Sequence, residues 1–106
     1  MSQVKLQNDV LDLSLTYHWY DEIAAGRKLE EYRELTDYYR SRLISDQWNG
    51  TDFFRHYDAV RFHRGQGSPT TMLVECIGIR IGYGREDWGA EKGKRYFVIQ
   101  LGDRII

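Results

Sequence analysis

The sequence predicts an α+β domain, a small mixed or antiparallel β-barrel of five to six strands flanked by two short helices. Three observations predict it. Residues 11–19 alternate apolar and polar with strict period two, the pattern of a half-buried strand. Two early segments, 19–26 and 36–44, switch to helical spacing. Three strand candidates then fill the second half of the chain, with Gly78 and Gly82 placed where a small barrel would bulge or bend.

In the first strand Leu11, Leu13, Leu15, Tyr17 and Trp19 take one face, and Asp12, Ser14, Thr16 and His18 the other. The first helix puts Tyr20, Ile23 and Ala24 on one side and Asp21 and Glu22 in its first turn, where the helix dipole favours anions. Gly26 follows it, at the position where a left-handed residue usually ends a helix. Residues 28–33 read as a strand with Leu29, Glu31 and Arg33 on one face and Glu30 and Tyr32 on the other. The second helix has Thr36 as its N-cap, Leu35, Tyr39 and Leu43 at four-residue spacing, and Arg40 and Arg42 near its end. Residues 45–56 read as a polar loop carrying Trp48, Phe53 and Phe54.

The later strands follow. Ala59 to His63 places Val60 and Phe62 on one face, Arg61 and His63 on the other. A turn-rich stretch, 65–69, makes a hairpin with the long strand 71–83, whose apolar start at Met72, Leu73 and Val74 argues a central position. Glu75 interrupts a face of Leu73, Ile77 and Ile79, so an inward acid is expected there, as a partner for Arg33 or as the acid of an active site. Residues 84–95 form a charged loop around Trp88, and the last strand, 96–104, turns Phe97, Ile99 and Leu101 inward. The order is β-α-β-α-β-β-β.

Length and composition bound the function. A chain of 106 residues makes one domain, read here as 10–106 behind a polar leader at 1–9. Hydrophobic residues are 42% and charged residues 29%, a globular balance. Aromatics reach 14%, with eight Tyr and three Trp, residues that suit ligand faces as well as cores. A net charge of -1 argues against coating nucleic acid by bulk electrostatics, without excluding a local basic site. The single cysteine, Cys76, permits no intramolecular disulfide and no cysteine-based zinc site, and reads as a small core residue. His18, His56 and His63 lack ligand spacing, so no metal and no cofactor are expected. The first residues hold no apolar signal region and no stretch approaches the roughly 20 apolar residues of a membrane span, so a cytoplasmic protein is expected.

Gly26, Lys28, Glu31 and Arg33 form G-x-K-x-x-E-x-R directly after a short helix and at the entry to a strand. On this motif, and on the strand leading into Trp19, the segments 32–35 and 57–60 and the closing 96–99 strand, the chain resembles the ASCH family of the PUA-like superfamily over nearly its whole length. The resemblance implies a β-barrel with helices at its flank and a cleft beside the motif. It also implies RNA binding, or in some members an amidohydrolase acting on a modified cytidine, or a ribonuclease. In the amidohydrolase-like members the motif lysine activates a threonine three residues on. Here that position is Glu31, which suits ligand binding or general-base work better than nucleophilic attack.

Chemistry of the residues themselves points the same way. Lys28 is a compact charge that could bind a phosphate or carry a proton. Glu31 and Arg33, two apart on one strand face, can pair, either to hold Arg33 as a rigid fork for phosphate or a base edge or to close the barrel. A regular strand would put Lys28 on the opposite face, so all three share a site only if Lys28 belongs to the turn after Gly26. Residues 55–64 are a basic run in which Arg61 and His63 share a face, either a solvated face balanced by the acidic 30–37 region or a strip able to follow a phosphate backbone while aromatics stack bases. Trp19 and Tyr20 are candidate stacking groups, as are Tyr32, Trp48 and Trp88. The expected RNA- or nucleotide-binding set is therefore Gly26, Lys28, Glu31, Arg33, Arg61, His63, Trp19 and Tyr20. In an enzyme, Lys28 and Glu31 would be the catalytic pair. The partner is RNA or a modified nucleoside, with no membrane involved.

Overall fold

The structure, a computed structural model, describes residues 9–45 and 53–106, so nearly all of the polar leader, and Trp48 of the loop, lie outside the described residues. The elements run β1 (Val10–Leu15), α1 (Tyr17–Ala24), β2 (Glu30–Arg33), α2 (Asp37–Leu43), β3 (Ala59–Arg64), β4 (Thr71–Tyr83), a single 3₁₀ turn (Glu86–Trp88) and β5 (Arg95–Arg104). The five strands form one curled sheet, a half-barrel, in the order β1-β3-β4-β5-β2. β1 and β3 pair in parallel and the remaining pairs are antiparallel. Of the five to six strands expected in a barrel the sheet holds five, and β1 and β2 are its two edges.

The concave face is the core. Leu11, Leu13 and Leu15 of β1, Val60 and Phe62 of β3, and Phe97, Ile99 and Leu101 of β5 all point into it, as their alternation requires. Tyr20 and Ile23 of α1 and Leu43 of α2 cover it.

Two local departures from the sequence pattern have clear causes. The period-two alternation continues through Tyr17 and Trp19, yet β1 stops at Leu15, because Thr16 begins a helix whose first bond runs from Tyr20 N to Thr16 O at 3.0 Å. Apolar positions at 20 and 23 satisfy a helix as well as those at 17 and 19 satisfy a strand, and the buried pair wins. Asp21 and Glu22 consequently sit in the second half of α1 rather than in its first turn.

The second departure is in β4. Cys76 stands opposite Leu101 and Gly78 opposite Gln100, so β4 spends two residues against one of β5. This bulge flips the parity of the strand. Met72, Val74 and Cys76 face the core before it, and Ile79 and Ile81 pack on the core after it. Ile77 is turned out and exposed. Glu75 is exposed on the convex face, where it accepts a hydrogen bond from Asp103 N at 3.4 Å. It is therefore neither an inward acid nor the partner of Arg33.

No helix among the described residues is long and apolar enough to cross a membrane. Cys76 is buried beside the bulge, and burial pushes its thiol up to about 11. A thiol reagent at about pH 8 should leave the native protein unmodified and label it fully in urea. Rapid labelling of the native state would contradict the packing of β4 described here.

Candidate functional site

The site begins with the end of α1. Gly26 adopts φ +77°, a left-handed conformation that other residues resist. The chain then doubles back: Arg27 N and Lys28 N both donate to Glu22 O, at 3.0 and 3.2 Å. Lys28 thus belongs to the turn and not to β2, which starts at Glu30. That placement frees it from strand alternation and lets it reach the same face as Glu31.

β2 pairs with β5 so that Glu31 stands opposite Ile99 and Arg33 opposite Phe97. Ile99 and Phe97 are core residues, so Glu31 and Arg33 also lie on the concave face. A carboxylate there needs partners. Glu31, 6% exposed, has one for each oxygen: Oε1 lies 3.1 Å from Lys28 Nζ, and Oε2 lies 2.8 Å from Arg33 Nη2 and 3.0 Å from Arg33 Nε. Lys28, 3% exposed, donates its other bond to Trp88 O at 2.6 Å and sits 4.2 Å from the centre of the Trp19 ring. Desolvation draws its ammonium below the usual lysine value, opposed by the charge and hydrogen bond of Glu31. Trp88 is held in turn by its indole N–H, which donates to Arg27 O at 2.8 Å.

Arg33 carries the chain of charges to the surface. Its Nη1 donates to Tyr39 Oη of α2 at 2.8 Å, and its Nη2 to Ser14 O of β1 at 2.8 Å. A side chain of one sheet edge thereby ties down the backbone of the other. Beside this bridge lies a polar cleft of about 350 Å³, lined by Asp12, Leu13 and Ser14 of β1, Arg33, Tyr38 and Tyr39, and Gln66 of the β3–β4 turn. Asp12, Ser14, Tyr38 and Gln66 are exposed, so the cleft is an open groove along the seam. Nε, Nη1 and Nη2 each donate one hydrogen bond, to Glu31, Tyr39 and Ser14 O, and Nη2 also lies 2.8 Å from Glu31 Oε2, so the guanidinium is held in place in the wall of the groove.

The structure brings Gly26, Lys28, Glu31, Arg33 and Trp19 into one assembly. Tyr20 is not part of it: it is 5% exposed and belongs to the core, one residue round the helix from Trp19. Arg61 and His63 lie on the convex face of β3, and His63 reaches the groove only through Asp12, with Nε2 2.8 Å from Asp12 Oδ1. The basic run is divided among several partners, except Arg61, which has no acidic partner among the described residues. His56 pairs with Asp58 and Arg64 with Asp21, while Arg55 donates to Ile44 O. Sequence reasoning missed the groove's other walls, Asp12, Ser14, Tyr38, Tyr39 and Gln66. The adjacent tyrosines on a short capped helix were a usable signal. Ser14 contributes a backbone carbonyl, which no side-chain pattern announces.

Among known proteins the chain matches no family model, no curated sequence and no solved structure.

Removing the shared carboxylate should be the most damaging single change at the site. Glu31→Ala leaves the buried Lys28 ammonium and the part-buried Arg33 guanidinium without their shared carboxylate and should cost about 3–5 kcal/mol in a urea titration. Glu22→Ala, which breaks the solvent-exposed pair with Arg27, should leave the midpoint close to wild type.

Proposed function

We propose that the seam groove binds a nucleotide, free or within RNA, and that the protein is a nucleic-acid-binding module of the kind its resemblance to ASCH domains implies. The observation that carries this reading is Arg33: a guanidinium locked by Glu31, Tyr39 and Ser14 O, in the wall of an open polar groove. A fork held rigid in advance loses little freedom on binding a phosphate or a base edge. Tyr38, 57% exposed, offers a ring for base stacking within the same groove, and Asp12 and Gln66 offer hydrogen-bonding groups. The groove is small enough for one nucleotide, so the net charge of -1 is no obstacle.

Hydrolysis at Lys28 is the less favoured reading. Glu31, Trp88 O and the Trp19 ring surround the ammonium. Arg33 lines the groove, whereas Lys28 does not. Lys28 lines a separate cavity of about 230 Å³ between the end of α1 and β5, but a general base needs a free lone pair in reach of its substrate, and this ammonium is committed to Glu31 and Trp88 O.

Nucleoside monophosphates and a short RNA should bind the wild-type protein in a calorimetric or fluorescence titration. Tyr38→Ala, an exposed change that spares the fold, should weaken binding by about 1–3 kcal/mol, the worth of one stacked base. Arg33→Lys should weaken it by a further route, since an ammonium cannot reproduce the fork. Absence of nucleotide binding by the wild type, or an unchanged affinity in Tyr38→Ala, would sink the reading. Turnover of RNA or an N4-acylated cytidine, lost in Lys28→Met, would replace it with the hydrolase.

A further inference from the structure

α2 separates two cavities. Tyr38 and Tyr39 line the seam groove on one side. On the other, Arg40, Ser41, Ile44, Ser45 and Arg55 line a second cavity, also of about 350 Å³. Arg27, Lys28, Arg33, Arg64, Arg80 and Arg85 each have an acidic partner. Arg40, Arg42, Arg55, Arg61, Lys92, Arg95 and Arg104 have no acidic partner among the described residues; of these Arg40 and Arg55 line this cavity, and Arg42 lies beside Arg40 on the same helix.

Their positions are fixed by the fold. Thr36 Oγ1 caps α2 by accepting from Tyr39 N at 3.3 Å, which sets the rotation of the helix. Leu43, 1% exposed, anchors the inner face, so Arg40 and Ser41 emerge beside it toward the second cavity. Arg55 comes from outside the helix: its N–H donates to Leu43 O at 2.8 Å and its Nε to Ile44 O at 3.4 Å. The helix C-terminus carries only about half an elementary negative charge, so three arginines exceed what it needs. Arg42 lies 4.8 Å from the centre of the Tyr38 ring, behind the ring that lines the groove.

We propose that the Arg40–Arg55 cavity is a phosphodiester site, and that single-stranded nucleic acid runs from it across Tyr38 into the seam groove. An exposed ring backed by a guanidinium, between a cationic pocket and a polar groove, matches what such a strand requires: bases on rings and phosphates on cations. A phosphopeptide would use the arginines and leave Tyr38 and the groove idle. The width of one helix, about 10 Å, separates the two cavities. The inference depends on the seam-groove reading for the base alone; the phosphate contact stands without it.

The test is the salt dependence of binding to a single-stranded RNA of about eight nucleotides. Arg40→Gln/Arg55→Gln changes two exposed side chains, and a thermal melt checks that the fold is kept. The double variant should lose tenfold or more in affinity. Its slope of log K against log salt should flatten by about 1.4, or about 0.7 for each lost phosphate contact. Affinity for a nucleoside monophosphate should be unchanged. A wild-type affinity and slope in the double variant overturn the proposal, as does a phosphoserine peptide that competes better than RNA. A flattened slope in a protein that binds no mononucleotide at all supports the phosphodiester site while removing the seam-groove reading.

Discussion

One buried carboxylate organises this protein. Glu31 sits on the concave face of an edge strand, against core residues, where an unpaired charge would cost several kcal/mol. Its two oxygens are therefore divided between two cations, Lys28 and Arg33. Each cation is committed further. Lys28 engages Trp88 O and the face of Trp19, and so draws the 3₁₀ turn after β4 down onto the end of α1. Arg33 reaches Tyr39 of α2 and the carbonyl of Ser14 in β1. One side chain thus connects α1, β1, β2, α2 and the loop before β5.

The sheet explains why such a network is needed. With the order β1-β3-β4-β5-β2, the edges β1 and β2 curl toward each other without forming a ladder among the described residues. Open edges expose backbone donors and acceptors. Here Arg33 bridges the gap in place of a strand pair. A side-chain bridge is narrower than a ladder, and it leaves a polar groove beside it. The structural and functional readings of the Glu31–Arg33 pair are consequently the same feature. The pair closes the seam, and in doing so it presents a rigid guanidinium within the groove.

The distribution of charge follows from the same economy of positions. Within the basic run 55–64, β3 hands two members to acids on β1 and α1, His63 to Asp12 and Arg64 to Asp21. Arg40 and Arg55, which have no acidic partner among the described residues, meet beside α2, a short helix of seven residues with its tyrosines toward the groove and Arg40 toward the opposite cavity. The near-neutral total therefore conceals a local excess.

Much of the fold was legible in the sequence. Element order, the αL glycine at Gly26, the Thr36 cap, the inward faces of β3 and β5 and the central position of β4 all follow from short-range periodicity and turn chemistry. The motif residues Lys28, Glu31 and Arg33 were equally visible, together with the condition that Lys28 must leave the strand to join them. What sequence could not decide depends on register and on distant backbone. Glu75 and Ile77 face outward because the core face of β4 begins at Met72, Val74 and Cys76, and a one-residue bulge after Cys76 then turns Ile79 and Ile81 inward, so no single parity describes the strand. Tyr20 went to the core because the helix began at Tyr17, three residues earlier. The groove itself arose where two edges met, through the carbonyl of Ser14, a group every residue carries and no sequence distinguishes.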